Sequence, residues 1–314
     1  MEQPVSLRET YGKTLVELGR ENPDIVVLDA DLRRSTMTHY FATEFPDRFF
    51  DCGIAEQNMV GIAAGLAVSG KIPFASSFAV FLPGRCYDQV RMSVAQPKLN
   101  VKLVGSHGGI TVGEDGTSHQ SVEDLLMACS LPGFTVLVPA DAIEAARAVR
   151  AAAAAHGPFY IRLSRPALPL VYDEHYHFNL GKAVVLRHGT TATIIAIGVL
   201  VSAALEAAHN LAREGIDCRV LNMSTLKPVD EPAIIQAAAE TGAIVTAEEH
   251  LEHGGLGSIV ARVLARHHPV PAEFVAIKDT YALSGKPAEL LENYGLSATG
   301  IEQAVHAAIN RKPK

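Results

Sequence analysis

The stretch Ala55-Glu-Gln-Asn-Met-Val-Gly-Ile-Ala-Ala-Gly-Leu-Ala-Val-Ser69, followed after two residues by Ile72-Pro-Phe-Ala-Ser-Ser-Phe-Ala-Val-Phe-Leu82, decides how this chain folds. Its first half is an apolar helix that opens on Glu56 and continues through Ile62 and Leu66. Its second half begins as a short buried strand, residues 72–75, too apolar on both faces to border water. A helix feeding such a strand is the repeating unit of an open parallel sheet.

The same alternation runs outward in both directions. Residues 25–28, 101–104, 136–138 and 159–163 read as further buried strands, and about 7–19, 85–95, 122–130 and 142–155 as helices. The last helix carries its own start and stop signals, with Asp141 as N-cap, Glu144 three residues on, and Gly157-Pro158 beyond its end. A stretch rich in Pro, Tyr and His, residues 165–178, breaks the pattern. The pattern then resumes with strands at 192–197, 218–221, 244–247 and 274–277. The expectation is an α/β protein with two open, mainly parallel sheets: a first domain over 1–168, a linker over 169–185 and a second domain over 186–314.

The 314 residues suffice for two cores. Although 48% are hydrophobic, no apolar run approaches the roughly 20 residues of a membrane span. The first residues have no basic and apolar leader, so a soluble, cytoplasmic protein is expected. Cys52, Cys86, Cys129 and Cys218 lack the paired spacing of a zinc or redox site and read as reduced, partly buried thiols. A net charge of −7 without a basic tract gives no footing for nucleic acid. It leaves room for an anionic small substrate held by a local cluster of Arg and His.

In open α/β sheets, ligands bind beyond the carboxyl ends of the strands. The polar residues of interest fall there: Asp29 to Ser35, Asp51 to Glu56, Ser76 to Phe81, Ser106 to His119, and Arg165. Taken singly each has a plain explanation. Glu56 is an acid at a helix start, Phe78 and Phe81 are core rings, Asp115-Gly116 is a turn, and Arg8 and Arg165 are solvated or ion-paired. The long Gly-rich stretch from Gly105 to Gln120 is harder to explain as structure alone, since it costs chain entropy and contributes little core.

Two segments, Asp51-Cys-Gly-Ile-Ala-Glu56-Gln-Asn58 and Gly113-Glu-Asp115-Gly-Thr-Ser-His119-Gln120, resemble signatures of the transketolase family of thiamine-diphosphate enzymes. The resemblance covers nearly the whole chain and is closest to the C-terminal section of split transketolases. It implies that Glu56 bonds the far ring nitrogen of the aminopyrimidine, driving the tautomer that generates the thiazolium carbanion. Phe78 and Phe81 would flank that ring, and Asp31 would lie beside the thiazolium. His119 would assist proton movement and Asp115 would read the donor hydroxyl. Arg8, Ser35, His107 and Arg165 would hold substrate phosphate, Arg through its bidentate fork. Arg33 and Arg34 lie outside the usual pattern. Ser121 reads as N-cap of the helix after His119, whose positive end would favour a neutral, basic imidazole.

No Gly-Asp-Gly segment with its distant Asn, which in the family holds the divalent metal and the diphosphate, is recognisable here; the nearest string is Gly113-Glu-Asp-Gly116. The resemblance therefore implies one subunit of a split transketolase, with no metal ligands of its own. A partner, the N-terminal diphosphate-binding subunit, would hold Mg2+ and most of the cofactor, and two copies of each chain would assemble through dimer contacts of the second domain. The activity implied is ketol transfer between phosphosugars in pentose-phosphate carbohydrate metabolism. Alternatives are a beta-type subunit of a 2-oxo acid dehydrogenase, a relative of deoxyxylulose-phosphate synthase, or a non-catalytic orphan subunit.

Overall fold

The computed structural model describes residues 3–313. The first half builds β1 (Ile25–Asp29), β2 (Phe49–Asp51), β3 (Ile72–Phe78), β4 (Lys102–Ser106), β5 (Thr135–Leu137) and β6 (Phe159–Arg162). The second builds β7 (Val184–Arg187), β8 (Ala192–Ala196), β9 (Cys218–Asn222), β10 (Thr225–Lys227), β11 (Ile244–Leu251) and β12 (Ala272–Ile277). They form a seven-stranded sheet, β10-β5-β6-β4-β3-β1-β2, and a five-stranded sheet, β12-β11-β8-β9-β7. Every pairing is parallel except β10 on β5 and β7 on β9, which run antiparallel at the edges. The chain is an α/β protein of two mainly parallel sheets, as the alternation of its sequence indicates.

The nine strands expected from sequence are present, with ends shifted by a few residues. The three not foreseen, β2, β7 and β10, are edge strands of three or four residues, too short for periodicity to register. Between β6 and β7 the backbone forms no helix or strand. Within that passage an antiparallel bridge joins Val5 to Leu168, which draws the start of helix Leu7–Glu21 towards Arg165. Edge strand β10 carries the second half of the chain onto the first sheet.

The first sheet has helices on both faces. One face packs Leu7, Tyr11 and Leu15 of helix Leu7–Glu21 with Ala145 and Val149 of helix Ala142–Ala154. The other packs Met59, Val60 and Ala63 of helix Glu56–Val68 and continues without a break into Met223, Leu226 and Ile234 of the second half. One core therefore spans both sheets and fixes their mutual setting. The segment expected as a single helix over 85–95 instead spends its first residues in turns, forms one helical turn at Tyr87–Gln89, and widens into a π-helix over Val90–Ala95. Among the described residues no helix is long and apolar enough to cross a membrane.

Candidate active site

Glu56 is the first residue of its helix and is only 4% exposed. The turn after β2 sets it against the carboxyl end of β3. There its carboxylate accepts from Ser77 Oγ at 3.5 Å, while Arg85 Nη1 donates to both carboxylate oxygens at 3.3 Å. All three contacts are long, so the buried carboxylate has acceptor capacity in reserve. Phe78 ends β3 and Phe81 follows one turn later, their rings nearly parallel with centroids 5.7 Å apart. Arg85 sits over the Phe81 ring at 3.9 Å.

His107, at the end of β4, stacks on Phe78 at 3.8 Å, and its Nδ1 lies 2.9 Å from Ser106 Oγ. Burial, reinforced by the positive charges of Arg8, Arg165 and His119, pushes its pKa down to about 3, so the ring is neutral at ordinary pH. Its backbone is left-handed, φ 59°, a conformation that a residue with a Cβ adopts at a cost. His119 presents its ring edge-on to Phe78 at 6.1 Å and to Phe81 at 5.5 Å. The two imidazoles and two phenyl rings thus form a single cluster beside Glu56.

The helix expected to start at Ser121 begins instead at Asp124, with Glu123 at the cap position. Ser121 is occupied otherwise: it bridges Gly109 in antiparallel fashion, and its carbonyl accepts from Gly109 N and Arg162 Nη2. The helix end that was to act on His119 therefore lies further along. The ring is placed by Ser118 Oγ, 2.9 Å from its Nδ1, and by the aromatic edges.

The four residues expected at a phosphate converge. Arg8, in the first turn of its helix, donates to the carbonyls of Ser35 at 2.5 Å and Arg165 at 3.1 Å. Arg165 donates to Val112 O and lies 3.7 Å from Glu114 and 3.8 Å from Asp115. His107 is close enough to feel both arginines. Asp115 is thereby brought to the same place, on a short 3-10 turn, Gly113–Asp115. Asp31, left-handed at φ 62°, is held through its backbone N–H, which donates to Asp51 Oδ1 at 3.1 Å. Its carboxylate is exposed, and no contact among the described residues ties it to the cluster. The buried carboxylate on this strand end is Asp29, which accepts from Leu32 N, Thr36 Oγ1 and Thr38 Oγ1. Burial raises its pKa to about 6.

Sequence reasoning did not anticipate how much the second half holds the Gly-rich loop. Glu249, on β11, accepts from Thr111 N at 2.6 Å and Thr111 Oγ1 at 3.2 Å. Gly109, at φ 81°, passes so close that a Cβ there would sit 2.1 Å from the Glu249 carboxyl carbon. Further on, Thr117 Oγ1 donates to Ala282 O, Gln120 Nε2 to Leu283 O, and Ser284 Oγ to Glu114 O. Arg85 was also unforeseen, although Phe81-x-x-x-Arg85 has the spacing that stacks two side chains across one helical turn.

A buried carboxylate with unspent acceptors beside a flat aromatic wall fits the aminopyrimidine half of thiamine diphosphate. Among the described residues no group of three or more His, Cys, Asp or Glu is arranged to hold a metal.

Comparison with known proteins extends this picture. Residues 3–171 match the family model of the transketolase pyrimidine binding domain, and residues 181–301 that of the transketolase C-terminal domain. A putative transketolase C-terminal section from Methanocaldococcus jannaschii is 45% identical, covering 95% of this chain and 95% of that protein. A 6-deoxy-6-sulfo-D-fructose transketolase subunit from a Clostridium species is 44% identical over 98% of this chain and 95% of its own length. Human transketolase is 40% identical over 98% of this chain, which spans 49% of the human protein. A solved structure described as a split gene transketolase, inactive beta4 tetramer, superposes with a TM-score of 0.93 at 49% identity, covering 98% of this chain and 100% of that one. With family models spanning both halves and relatives matched over almost their full length, the chain belongs to the transketolase family.

Proposed function

We propose that this chain is the pyrimidine-binding subunit of a split transketolase, moving a two-carbon ketol unit from a ketose phosphate to an aldose phosphate. The observation that carries the reading is the buried Glu56 carboxylate facing the Phe78, Phe81, His107 and His119 cluster, with Arg8, Ser35 and Arg165 gathered beside it. Near-complete coverage of proteins named as a transketolase C-terminal section, a transketolase subunit and a split gene transketolase supports it further.

Thiamine diphosphate, when bound, would supply a nucleophilic carbon. The chain's own residues bind and steer. Glu56 takes a hydrogen bond from the pyrimidine ring nitrogen, which Phe78 and Phe81 hold in plane. His119, at the edge of that wall, moves the proton of the substrate oxygen. Asp115 would read the donor hydroxyl, and Asp31 would lie beside the thiazolium. Arg8, Arg165 and Ser35 hold the phosphate, to which His107 offers only a neutral N–H. The partner chain holds Mg2+ and the diphosphate, and two copies of each complete the assembly.

The decisive assay is transfer from xylulose 5-phosphate to ribose 5-phosphate with thiamine diphosphate and Mg2+. It is run with this chain alone and with a candidate diphosphate-binding chain. Activity in the mixture only is expected. Turnover by the chain alone would overturn the divided site, and silence in both would move the search to other donor sugars and then to pyruvate.

A further inference from the structure

We infer that Arg85 is a built-in stand-in for the aminopyrimidine: in the free chain its guanidinium occupies the place between Glu56 and Phe81 and swings out to let the cofactor ring in. The inference rests on the proposed cofactor role of Glu56 and Phe81 and adds a competitor from the chain itself.

Three features of the guanidinium match what that ring would bring. It is planar and lies over the Phe81 ring at 3.9 Å. It is a hydrogen-bond donor aimed at the Glu56 carboxylate, with Nη1 at 3.3 Å from both oxygens. It is cationic, and a carboxylate buried to 4% exposure is costly without a nearby positive charge or donor. The face of Phe81 that the guanidinium covers cannot stack on a second planar group at once, and a carboxylate that accepts from Arg85 only at long range keeps room for a shorter bond from the ring that replaces it.

The contact is also built to open. Both hydrogen bonds are long and come from a single nitrogen, whereas a tight Arg–carboxylate pair is bidentate at shorter range. Arg85 is 49% exposed, so its side chain has a path to solvent. Its backbone, by contrast, is pinned: Arg85 N donates to Phe81 O at 3.2 Å, and Gln57 Nε2 donates to Arg85 O at 2.8 Å. Only the side chain need move. A site covered for most of the time binds with an affinity reduced by the fraction of time it is open, and cation–π and ion-pair contacts of this kind are worth about a tenfold effect.

The test titrates the full chain with 4-amino-5-hydroxymethyl-2-methylpyrimidine by calorimetry and ligand-observed NMR, comparing wild type, Arg85→Ala, Arg85→Lys, Glu56→Gln and the Arg85→Ala/Glu56→Gln double variant. Arg85→Ala is expected to bind about tenfold tighter than wild type, Arg85→Lys in between, and the double variant to lose the gain. In the wild-type chain the ring-current-shifted Arg85 Nε–H signal is expected to return towards its free position as the pyrimidine is added. Equal or weaker binding by Arg85→Ala, or no binding by any of the five proteins, overturns the stand-in. If Glu56→Gln still loses binding in the first of these cases, the cofactor site survives its failure. Binding by Glu56→Gln as tight as wild type would instead remove the cofactor reading itself, and the stand-in with it.

Discussion

Glu56 shows how far a single residue could be read from sequence. Its position at the start of an apolar helix reads only as a helix-start acid, and the resemblance carried by Asp51-Cys-Gly-Ile-Ala-Glu56-Gln-Asn58 nominates it; the fold buries it, with Arg85 reaching from its carboxylate to the Phe81 ring. In the reconstituted enzyme, Glu56→Gln is expected to cut kcat at least about a hundredfold, the usual scale of a lost acid–base group; a near-normal rate would remove its role in cofactor activation. Arg165→Ala should raise KM for phosphorylated substrates about tenfold or more while leaving unphosphorylated analogues nearly unchanged, as expected for a charge-assisted contact to phosphate. An equal effect on both would take Arg165 out of the clamp. His107 carries a different expectation, because burial and neighbouring cations hold its pKa near about 3. Between pH 5 and 8 its charge does not change, so His107→Gln should alter KM without altering the pH dependence of KM. A titration step that vanishes in the variant would show that the ring is charged in the working enzyme. What sequence could not supply at this scale is pairing. The contact of Arg85 with Glu56 depends on a turn and a rotamer, and neither leaves a trace in composition.

At the level of elements, the terminal signals were the most legible. Asp141 was read as an N-cap and does accept from Glu144 N at 2.8 Å. Its second oxygen, however, accepts from Val171 N at 2.7 Å and Tyr172 N at 2.9 Å, tying the passage after β6 to the helix start. Asp141→Ala should therefore cost more than an ordinary cap, about 3 kcal/mol: roughly 1 for the cap and the rest for two amides left without their partner. Equilibrium denaturation measures this, and a loss under about 1 kcal/mol would mean water replaces the carboxylate freely. The helix after His119 is the counter-example. Ser121 looked like its cap because Ser is a common one, but the serine is used in a bridge to Gly109 and the helix starts at Asp124. Local propensity cannot announce that the backbone of this serine is committed to a bridge with Gly109, which leaves its Oγ buried without a hydrogen-bond partner among the described residues.

Across the whole molecule the second half acts on the first through Glu249. Burial raises its pKa to about 7 from an ordinary 4.5, with Arg162 and Thr111 pulling the other way. A folded-state pKa above the unfolded one means that this group's contribution to stability is full below pH 4.5 and is lost as pH rises towards 7. Glu249→Gln cannot titrate, so the stability of the wild type relative to the variant should fall across that window; a constant difference would mean Glu249 keeps one charge state throughout. Thr111→Val should loosen the loop bearing His119, seen as faster amide exchange over residues 107–119 and a kcat loss larger than any change in KM. By itself, the sequence determined the two-sheet α/β architecture and the nomination of the polar residues at strand ends, because burial periodicity and short motifs are local and each residue carries its own share of the signal. Only the tertiary structure decided that Glu249 braces Thr111, that Val5 pairs with Leu168 to bring Arg8 to Arg165, and that edge strand β10 links the halves. Those contacts join residues far apart in the chain, and their energy depends on distances that exist only once both sheets are packed on one core.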